Sequence, residues 1–471
     1  MGPSVNTEEK IEQLIDAGMN VARLNFSHGT QKTHGQTIER LKRAREKKKT
    51  PLAILLDTKG PEIRLGPVKN DSFAVKAGQR LTLVKDVVIG DEKQLQVTPS
   101  LVVDALQVGA RVLIDDGYLS STVVEKTPRS IVIEIANSGL IKSYKGVNIP
   151  GVDIDLPSMT EQDISDISFG ISQGVDLIAA SFIRSAEHLL EIKNLLAKQG
   201  GSKILVLAKI ENSLGVQNFE AILHAADGIM VARGDLGVEL PLEEVPFLQK
   251  MMIRKCIQAE KPVITATQML ESMIKNPRPT LAEASDVANA IYDSTSAVML
   301  SGETASGLYP IETVRMMKGI VEQAEKNFSY RDFFERSQRP DFHDISSSVA
   351  LASVRTAYST QAKAIFCFTS SGFTVRHVCR FRPQMPIIAL TTHEKTYHQM
   401  ALNWGVIPIP PSQASSIAEA LTLATVYALK EGLVKQGDLI VATGSFPFGT
   451  NDAAKMMLVE TISSSKKDRS R

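Results

Sequence analysis

The feature that most constrains this chain is a repeated unit. A short β-branched or apolar run, a polar junction and an amphipathic stretch recur in the pattern of parallel βα units. Seven such strand-like runs are present: Asn20 to Ser27, Leu52 to Lys59, Asp176 to Ile183, Lys203 to Glu211, Gly228 to Leu236, Pro262 to Met269 and Ser296 to Ala305. Each is apolar within and turns polar at its carboxyl end. The polar ends carry Arg23, Asn25 and Ser27; Asp57 and Lys59; Ser181 and Arg184; Lys209 and Glu211; Arg233 and Asp235; Thr267 and Gln268; and Ser301 and Glu303. In a closed parallel barrel, chemistry collects at the carboxyl ends of the strands. The intervening helices fit this frame; Thr280-Leu-Ala-Glu283, just after Pro277-Arg-Pro279, is a capping box.

Between the second and third runs the texture changes. Residues 67 to about 152 read as short alternating strands, clearest at Phe73 to Val75, Leu81 to Leu83, Arg111 to Ile114 and Ile131 to Ile133, with no helical period. An all-β insertion in a barrel's βα loop is well placed to act as a lid. After about residue 330 comes a third unit. It holds a βαβ from Ala364 to Phe368 through Thr369-Ser-Ser-Gly372 to Ile387 to Leu390, a helix near Ala414 to Lys430, and a strand from Asp438 to Ala442. The expected architecture is therefore α/β: a discontinuous barrel from 1–66 and 153–330, a β-barrel lid from 67–152, and a C-terminal α/β regulatory or interface unit from 331–471. The tail from Ser463 is expected to be disordered.

Composition excludes several classes. Lys and Arg number 53 against 52 Asp and Glu, a net charge of +1, so no global field recruits nucleic acid or an anionic membrane. The three cysteines, Cys256, Cys367 and Cys379, make no disulfide framework and no C-x-x-C pair. No signal-peptide pattern opens the chain and no long apolar run crosses it, so a soluble, cytoplasmic protein is expected. The basic run Lys42 to Lys49 ends a helix, where cations complement the dipole. Gly444 to Gly449 has Walker-like spacing but no lysine follows, and His28 and His34 lack metal-ligand spacing with any cysteine.

The chemistry centres on Ala208-Lys-Ile-Glu-Asn212. Lys209 and Glu211, two apart on a strand, point to one side. The next run ends in Ala232-Arg-Gly-Asp235, adding a second carboxylate and a glycine that permits close backbone approach. Two hard oxygen ligands on adjacent strand ends suit Mg²⁺, which takes one or two carboxylates and completes its shell with substrate oxygens and water. Lys209 beside it would meet negative charge developing on a phosphoryl group or enolate. Alone, Lys-x-Glu on a strand fits a solvated ion pair as well; the seven-strand context favours a site. Asn25 and Ser27 with Asp57 and Thr58 set amide, hydroxyl and carboxylate oxygens at neighbouring strand ends, and Arg23 and Arg64 offer phosphate forks.

These segments resemble one family. Gly18 to Gly29, Leu56 to Arg64, Lys209 to Asn212, Gly228 to Gly237, Ala266 to Met273 and Met299 to Ala305 are similar, in order, to the signature segments of pyruvate kinase, across nearly the whole chain. The resemblance implies a (β/α)8-type barrel and transfer of the phosphoryl group of phosphoenolpyruvate to ADP, giving pyruvate and ATP in the last step of glycolysis. It implies Mg²⁺ (or Mn²⁺) on Glu211 and Asp235, and K⁺ on Asn25, Ser27, Asp57 and Thr58. By the same resemblance Lys209 stabilises the phosphoryl group and the enolate, and Arg23 binds the phosphate. Ala232, Gly234, Asp235 and Thr267 hold the substrate carboxylate, while Thr267 and Ser301 lie near the proton path. Asn25, Arg64 and Lys145 face the nucleotide. Glu62 goes with K⁺ dependence, and a homotetramer is implied.

Two departures stand out. Family members begin with a strand, Lys-Ile-hydrophobic-Cys-Thr-Ile, before Gly-Pro, whereas here Met1 directly precedes Gly2-Pro3. A missing first strand is expected, and with it a start upstream or an impaired chain. In relatives the C-terminal unit binds phosphorylated effectors. Here Thr369, Ser371 and Thr374 precede a helix and are the candidates to cradle a phosphate, although an ordinary Ser/Gly turn fits equally. Phe446 and Phe448 stand where an effector loop carries glycine and basic or polar groups, which argues against activation by fructose 1,6-bisphosphate. The competing readings are a Mg²⁺-enolate aldolase-type lyase and an inactive or regulatory form of the same fold.

Overall fold

All seven runs form strands, each shorter than the sequence suggests: β1 Val21–Asn25, β2 Ala53–Asp57, β3 Leu177–Ala180, β4 Leu205–Ile210, β5 Gly228–Ala232, β6 Val263–Ala266 and β7 Ala297–Val298. The computed structural model describes residues 1–338, 344–445 and 454–463. The loop bearing Phe446 and Phe448, and the tail beyond Ser463, lie outside the described residues.

The seven strands pair in parallel and in chain order. Their side chains divide by the period of two. Ile54, Leu56, Val206 and Ile229 pack outward with Ile38 and Leu41 of helix Gln31–Lys48 and with Met252 and Ile253 of helix Val245–Gln258. Leu55, Leu177, Ala179, Leu207 and Ile264 turn inward and fill the barrel. Capping boxes at Thr30, Thr160 and the anticipated Thr280 start three of the outer helices. The basic run ends its helix as expected, with Lys47 and Lys48 paired to Glu12 and Asp16.

Two runs needed correction. The expected strand Gly228 to Leu236 stops at Ala232, where helix Arg233–Glu239 begins with Asp235 in its first turn, a favourable place for a carboxylate. The expected strand Ser296 to Ala305 shrinks to β7, and helix Gly302–Ala305 follows. The cause is local: the Glu303 carboxylate accepts the N–H of Ser301 at 2.6 Å, a bond that competes with a strand ladder.

Among the described residues no strand joins β1 to β7. Beside β1 the Met1 ammonium donates to the carbonyl of Arg23 at 2.7 Å. Gly2 lies so close to Ala305 that a Cβ there would sit 2.4 Å from its carbonyl oxygen.

Between β2 and β3 the chain builds a mixed sheet from Arg64–Leu65, Arg80–Val84, Gln94–Thr98, Arg111–Ile114, Leu119–Lys126, Ser130–Ile135 and Val147–Asn148. It has its own core, including Leu83, Leu95, Val112 and Ile133. One short helix, Leu101–Ala105, was not anticipated, because five residues are too few to show a helical period.

The C-terminal sheet holds β8 Ala364–Phe368, β9 Ile387–Leu390, β10 Val406–Pro408, β11 Leu439–Gly444 and β12 Met456–Thr461, in the order β10-β9-β8-β11-β12 with β12 antiparallel. Strand β10 was missed because it is three residues long and ends in Pro408, tolerable only on an edge. Helix Glu394–Gln399 and the turn Met400–Leu402 lie under the barrel. There Leu402 joins the inward cluster, Gln399 donates to the carbonyls of Asp176 and Lys203, and His398 Nδ1 accepts the N–H of Leu52.

Candidate active site

The carboxyl ends of β1, β2 and β4 converge on one buried charge network. Strands β1 and β2 align Asn25 with Asp57 in register. Asp57, 0% exposed, takes the Nε of Arg23 on one oxygen at 2.5 Å and the ammonium of Lys209 on the other at 3.0 Å. Lys209 also reaches Glu211 at 2.9 Å and donates to the Ser181 hydroxyl at 2.7 Å. The same-side reading of Lys209 and Glu211 is thus realised. Burial alone would lower the Lys209 pKa, but Asp57 and Glu211 more than offset it and hold the ammonium above its ordinary value. Burial alone would raise the Asp57 carboxyl, yet Arg23 and Lys209 keep it below the usual range.

Asp235 is the exception. It is pushed up to about 7, first by burial and then by the neighbouring Glu211 carboxylate. Two carboxylates that repel one another in a buried place fit a divalent cation that takes one or two carboxylates. Among the described residues no three His, Cys, Asp or Glu side chains gather as metal ligands.

The remaining candidates separate into groups. Asn25 Oδ1 accepts the N–H of Ser27 at 3.1 Å, and Thr58 Oγ1 accepts that of Ser181 at 3.1 Å. Thr267 Oγ1 accepts the N–H of Gly234 at 2.8 Å, so the ends of β5 and β6 are tied together. A Cβ on Gly234 would lie 3.3 Å from that hydroxyl, close enough to press on Thr267. Arg64 pairs with Glu62 at 2.6 Å and donates to the Tyr144 carbonyl, while Lys145 pairs with Asp115 at 2.7 Å. Arg64 and Lys145 therefore sit together at the root of the lid. The lid also reaches the helix that carries Asp235, where Asn148 donates to Glu239 at 3.0 Å.

In the C-terminal unit the three effector candidates do not converge. Thr369 lines a small cavity with Ser370, Thr391 and Ser412, and its hydroxyl accepts the N–H of Gly372, whose φ of +78° suits glycine. Ser371 is exposed, but Thr374 is 2% exposed and turned inward, so it is not placed to reach a ligand.

Four residues of the site had no assigned role in the sequence. Ser181 receives Lys209. Phe182, at φ +54°, gives its N–H to Glu211 at 2.5 Å. Arg233 holds the loop after β6 by its carbonyls, Thr267 O at 2.7 Å, and is itself held by Asp286 at 2.7 Å. Glu303 joins the loops after β6 and β7 by accepting from Leu270 and Ser301. The available signal was position, since all four lie at polar strand ends.

A barrel that gathers a lysine, paired carboxylates and an arginine at its strand ends, beneath a β lid, has the build of a phosphotransferase. The chain matches the family description "Pyruvate kinase, barrel domain" over residues 1–314 and "Pyruvate kinase, alpha/beta domain" over residues 347–460. It is 47% identical over 471 residues to the pyruvate kinase of Chlamydia muridarum, covering 99% of this chain and 98% of that one. It is 46% identical over 465 residues to that of Geobacillus stearothermophilus, covering 98% of this chain and 79% of the relative. For Clostridium acetobutylicum the figures are 43% over 463 residues, with 98% of each chain covered. The chain belongs to the pyruvate kinase family. Its reaction is transfer of a phosphoryl group from phosphoenolpyruvate to ADP, yielding pyruvate and ATP, and the family generally depends on Mg²⁺ and K⁺. The lyase reading is set aside. Among the described residues no helix is long and apolar enough to cross a membrane.

Proposed function

We propose that the network around Lys209 runs this reaction. The bond from phosphorus to the enol oxygen breaks, a bond to a β-phosphate oxygen of ADP forms, and the enolate takes a proton at its methylene carbon to give pyruvate. The observation that carries the reading is Lys209, fixed between Asp57 and Glu211 at 3.0 and 2.9 Å. An ammonium held above its ordinary pKa serves as a fixed charge facing the phosphoryl group and enolate rather than as the proton donor. The proton path is assigned to Thr267 and Ser301. Arg23, oriented by Asp57, binds the phosphate. Ala232, Gly234, Asp235 and Thr267 receive the substrate carboxylate, and Asn25, Arg64 and Lys145 the nucleotide. Glu211 and Asp235 would hold Mg²⁺ or Mn²⁺, which when bound supplies positive charge to phosphoryl oxygens. Asn25, Ser27, Asp57 and Thr58 would hold K⁺.

Phosphoryl transfer asks mainly for positioning and charge neutralisation, and a lid that excludes water strengthens both. The working division is the discontinuous barrel 1–66 and 153–330, the lid 67–152 and the C-terminal unit 331–471. A cytoplasmic homotetramer, with a phosphorylated effector near Thr369 and Ser371, completes the proposal. The test is pyruvate formation from phosphoenolpyruvate and ADP with Mg²⁺, with and without K⁺. Activity is expected to collapse without K⁺; full activity in K⁺-free buffer would remove the K⁺ assignment and the role of Glu62.

A further inference from the structure

The amino-terminal ends of the barrel strands, opposite the active site, border a cavity of about 140 Å³ shared with the C-terminal unit. Asp227, Glu260 and Lys261 line it from the barrel, and Phe373, Arg376 and His377 from the other side. Its carboxylates are already matched. Glu260 pairs with Arg380 and with His377 Nδ1, both at 2.8 Å, and Asp227 pairs with Lys193 at 2.8 Å while accepting the N–H of Val206. Lys261 gives its protons to the carbonyls of Leu223, His224 and Ala226, which consumes its donors but leaves its charge. Arg376 makes one long hydrogen bond, to the Ser371 carbonyl at 3.2 Å. Lys261 and Arg376 thus share the cavity lining with Asp227 and Glu260, whose charges are already engaged by Lys193 and Arg380 from outside it.

A second observation points to a ligand. His377 is 5% exposed and its Nε2 has no partner. Because Nδ1 donates to Glu260, the other ring nitrogen is left to find its own, and a buried polar atom without a partner costs about 1–3 kcal/mol. Burial lowers the pKa of both Arg376 and Lys261, and the attraction of Asp227 offsets it only in part.

We propose that this cavity binds the phosphate group of a small phosphate monoester, held by the Arg376 guanidinium and His377 Nε2 in the field of Lys261. One proton is shared between the imidazole and a phosphate oxygen. The cavity is far below the roughly 300–1,000 Å³ of pockets that engulf a drug-sized ligand. The monoester therefore enters phosphate first, and the rest of it passes Phe373, which is 40% exposed and packs edge-on against His377. This site is separate from the turn at Thr369, and it does not depend on the active-site assignments.

The experiment is calorimetric titration of orthophosphate and of methyl phosphate into the full chain. Mg²⁺ and saturating phosphoenolpyruvate are present and ADP is absent, so that the catalytic phosphate position is filled. One binding event per chain is expected. Arg376→Gln should weaken it at least tenfold while phosphate-free turnover stays within twofold, and Arg376→Lys, which keeps the charge, should lose less. In the unsubstituted protein the His377 imidazole nitrogen resonances should shift with the same saturation curve. The proposal is overturned if neither probe binds, if Arg376→Gln binds as tightly as the parent, if the His377 resonances stay still, or if Thr369→Ala and not Arg376→Gln abolishes the event.

Discussion

Strands β2 and β4 meet different kinds of partner at their two ends. Strand β2 begins at a neutral contact, the Leu52 N–H on His398 Nδ1, and ends at Asp57 with two cations on it. Strand β4 begins near the Lys203 carbonyl, satisfied by Gln399, and ends at Lys209 and Glu211. At the lower ends of these two strands backbone groups find uncharged partners, and Leu402 closes the floor among Leu55, Leu177 and Leu207, with buried ion pairs beside it at Asp176 with Arg45 and Glu260 with Arg380. Above, charges are packed together and Asp235 is pushed up to about 7 by burial and Glu211. Backbone strain occurs at both ends: Phe182, Thr267 and Gln268 above hold φ of +54°, +67° and +54°, and Glu260 and Ser294 below hold +60° and +73°, conformations that cost about 1–3 kcal/mol each for such residues. The floor under β2 and β4 is arranged for stability and the rim above it for a ligand that brings the missing charge. Substitutions at the two ends should therefore separate activity from stability.

The largest effect is expected at the upper end. Lys209→Met removes the one ammonium bonded to both Asp57 and Glu211. Loss of a preorganised group that meets developing charge costs about 10²–10³-fold in rate, and this position should fall at or beyond the upper figure. Coupled measurement of pyruvate formation reads it. A kcat within tenfold of the parent would place the chemistry elsewhere and end the contrast between the two ends.

The floor should answer in stability alone. Leu402 is 2% exposed, and Leu402→Ala opens a cavity in the barrel floor, at a cost of about 2–5 kcal/mol. Denaturant unfolding measures the loss, and kcat of the folded fraction should stay within about twofold. A kcat that falls with stability unchanged would show that the floor tunes the site instead.

How far this division was legible from sequence depends on the length of chain that enforces it. The strand ends were readable because the seven runs announce themselves by local apolar patterning, and polar residues mark where each stops. Lys209 and Glu211 required only the two-residue period of a strand. The helix start at Arg233 was not readable as such, since Val231-Ala232-Arg233 carries no break before Gly234. The floor was invisible: the barrel partners of Leu402, Gln399 and His398 lie about 135 to 350 residues earlier, and nothing local distinguishes Gln399 from a surface glutamine. Thr374 shows the converse error. A Ser/Thr-rich turn looks like a phosphate cradle whichever way its hydroxyls face, and only packing reveals that this one is buried.

The smallest expected effect tests whether the floor at Leu52 stays uncharged. His398 is 3% exposed; burial, with Arg45 nearby as a lesser cause, lowers its pKa to about 3. Its Nδ1 must stay unprotonated to accept the Leu52 N–H, while Nε2 faces Glu394 at 2.9 Å. The unfolded chain titrates near 6.5, so between about 6.5 and 3 the unfolded state binds the proton and the folded state does not. Stability from this group is complete above the unfolded value and is lost as pH falls toward the folded one, by about 1.4 kcal/mol per pH unit. His398→Asn keeps an acceptor for Leu52 and cannot titrate. Between pH 6 and pH 5 the parent should lose about 1 kcal/mol more than this variant in denaturant unfolding. Equal slopes would mean that the folded state protonates His398 as readily as the unfolded chain does, and the floor would then carry a charge like the rim above it.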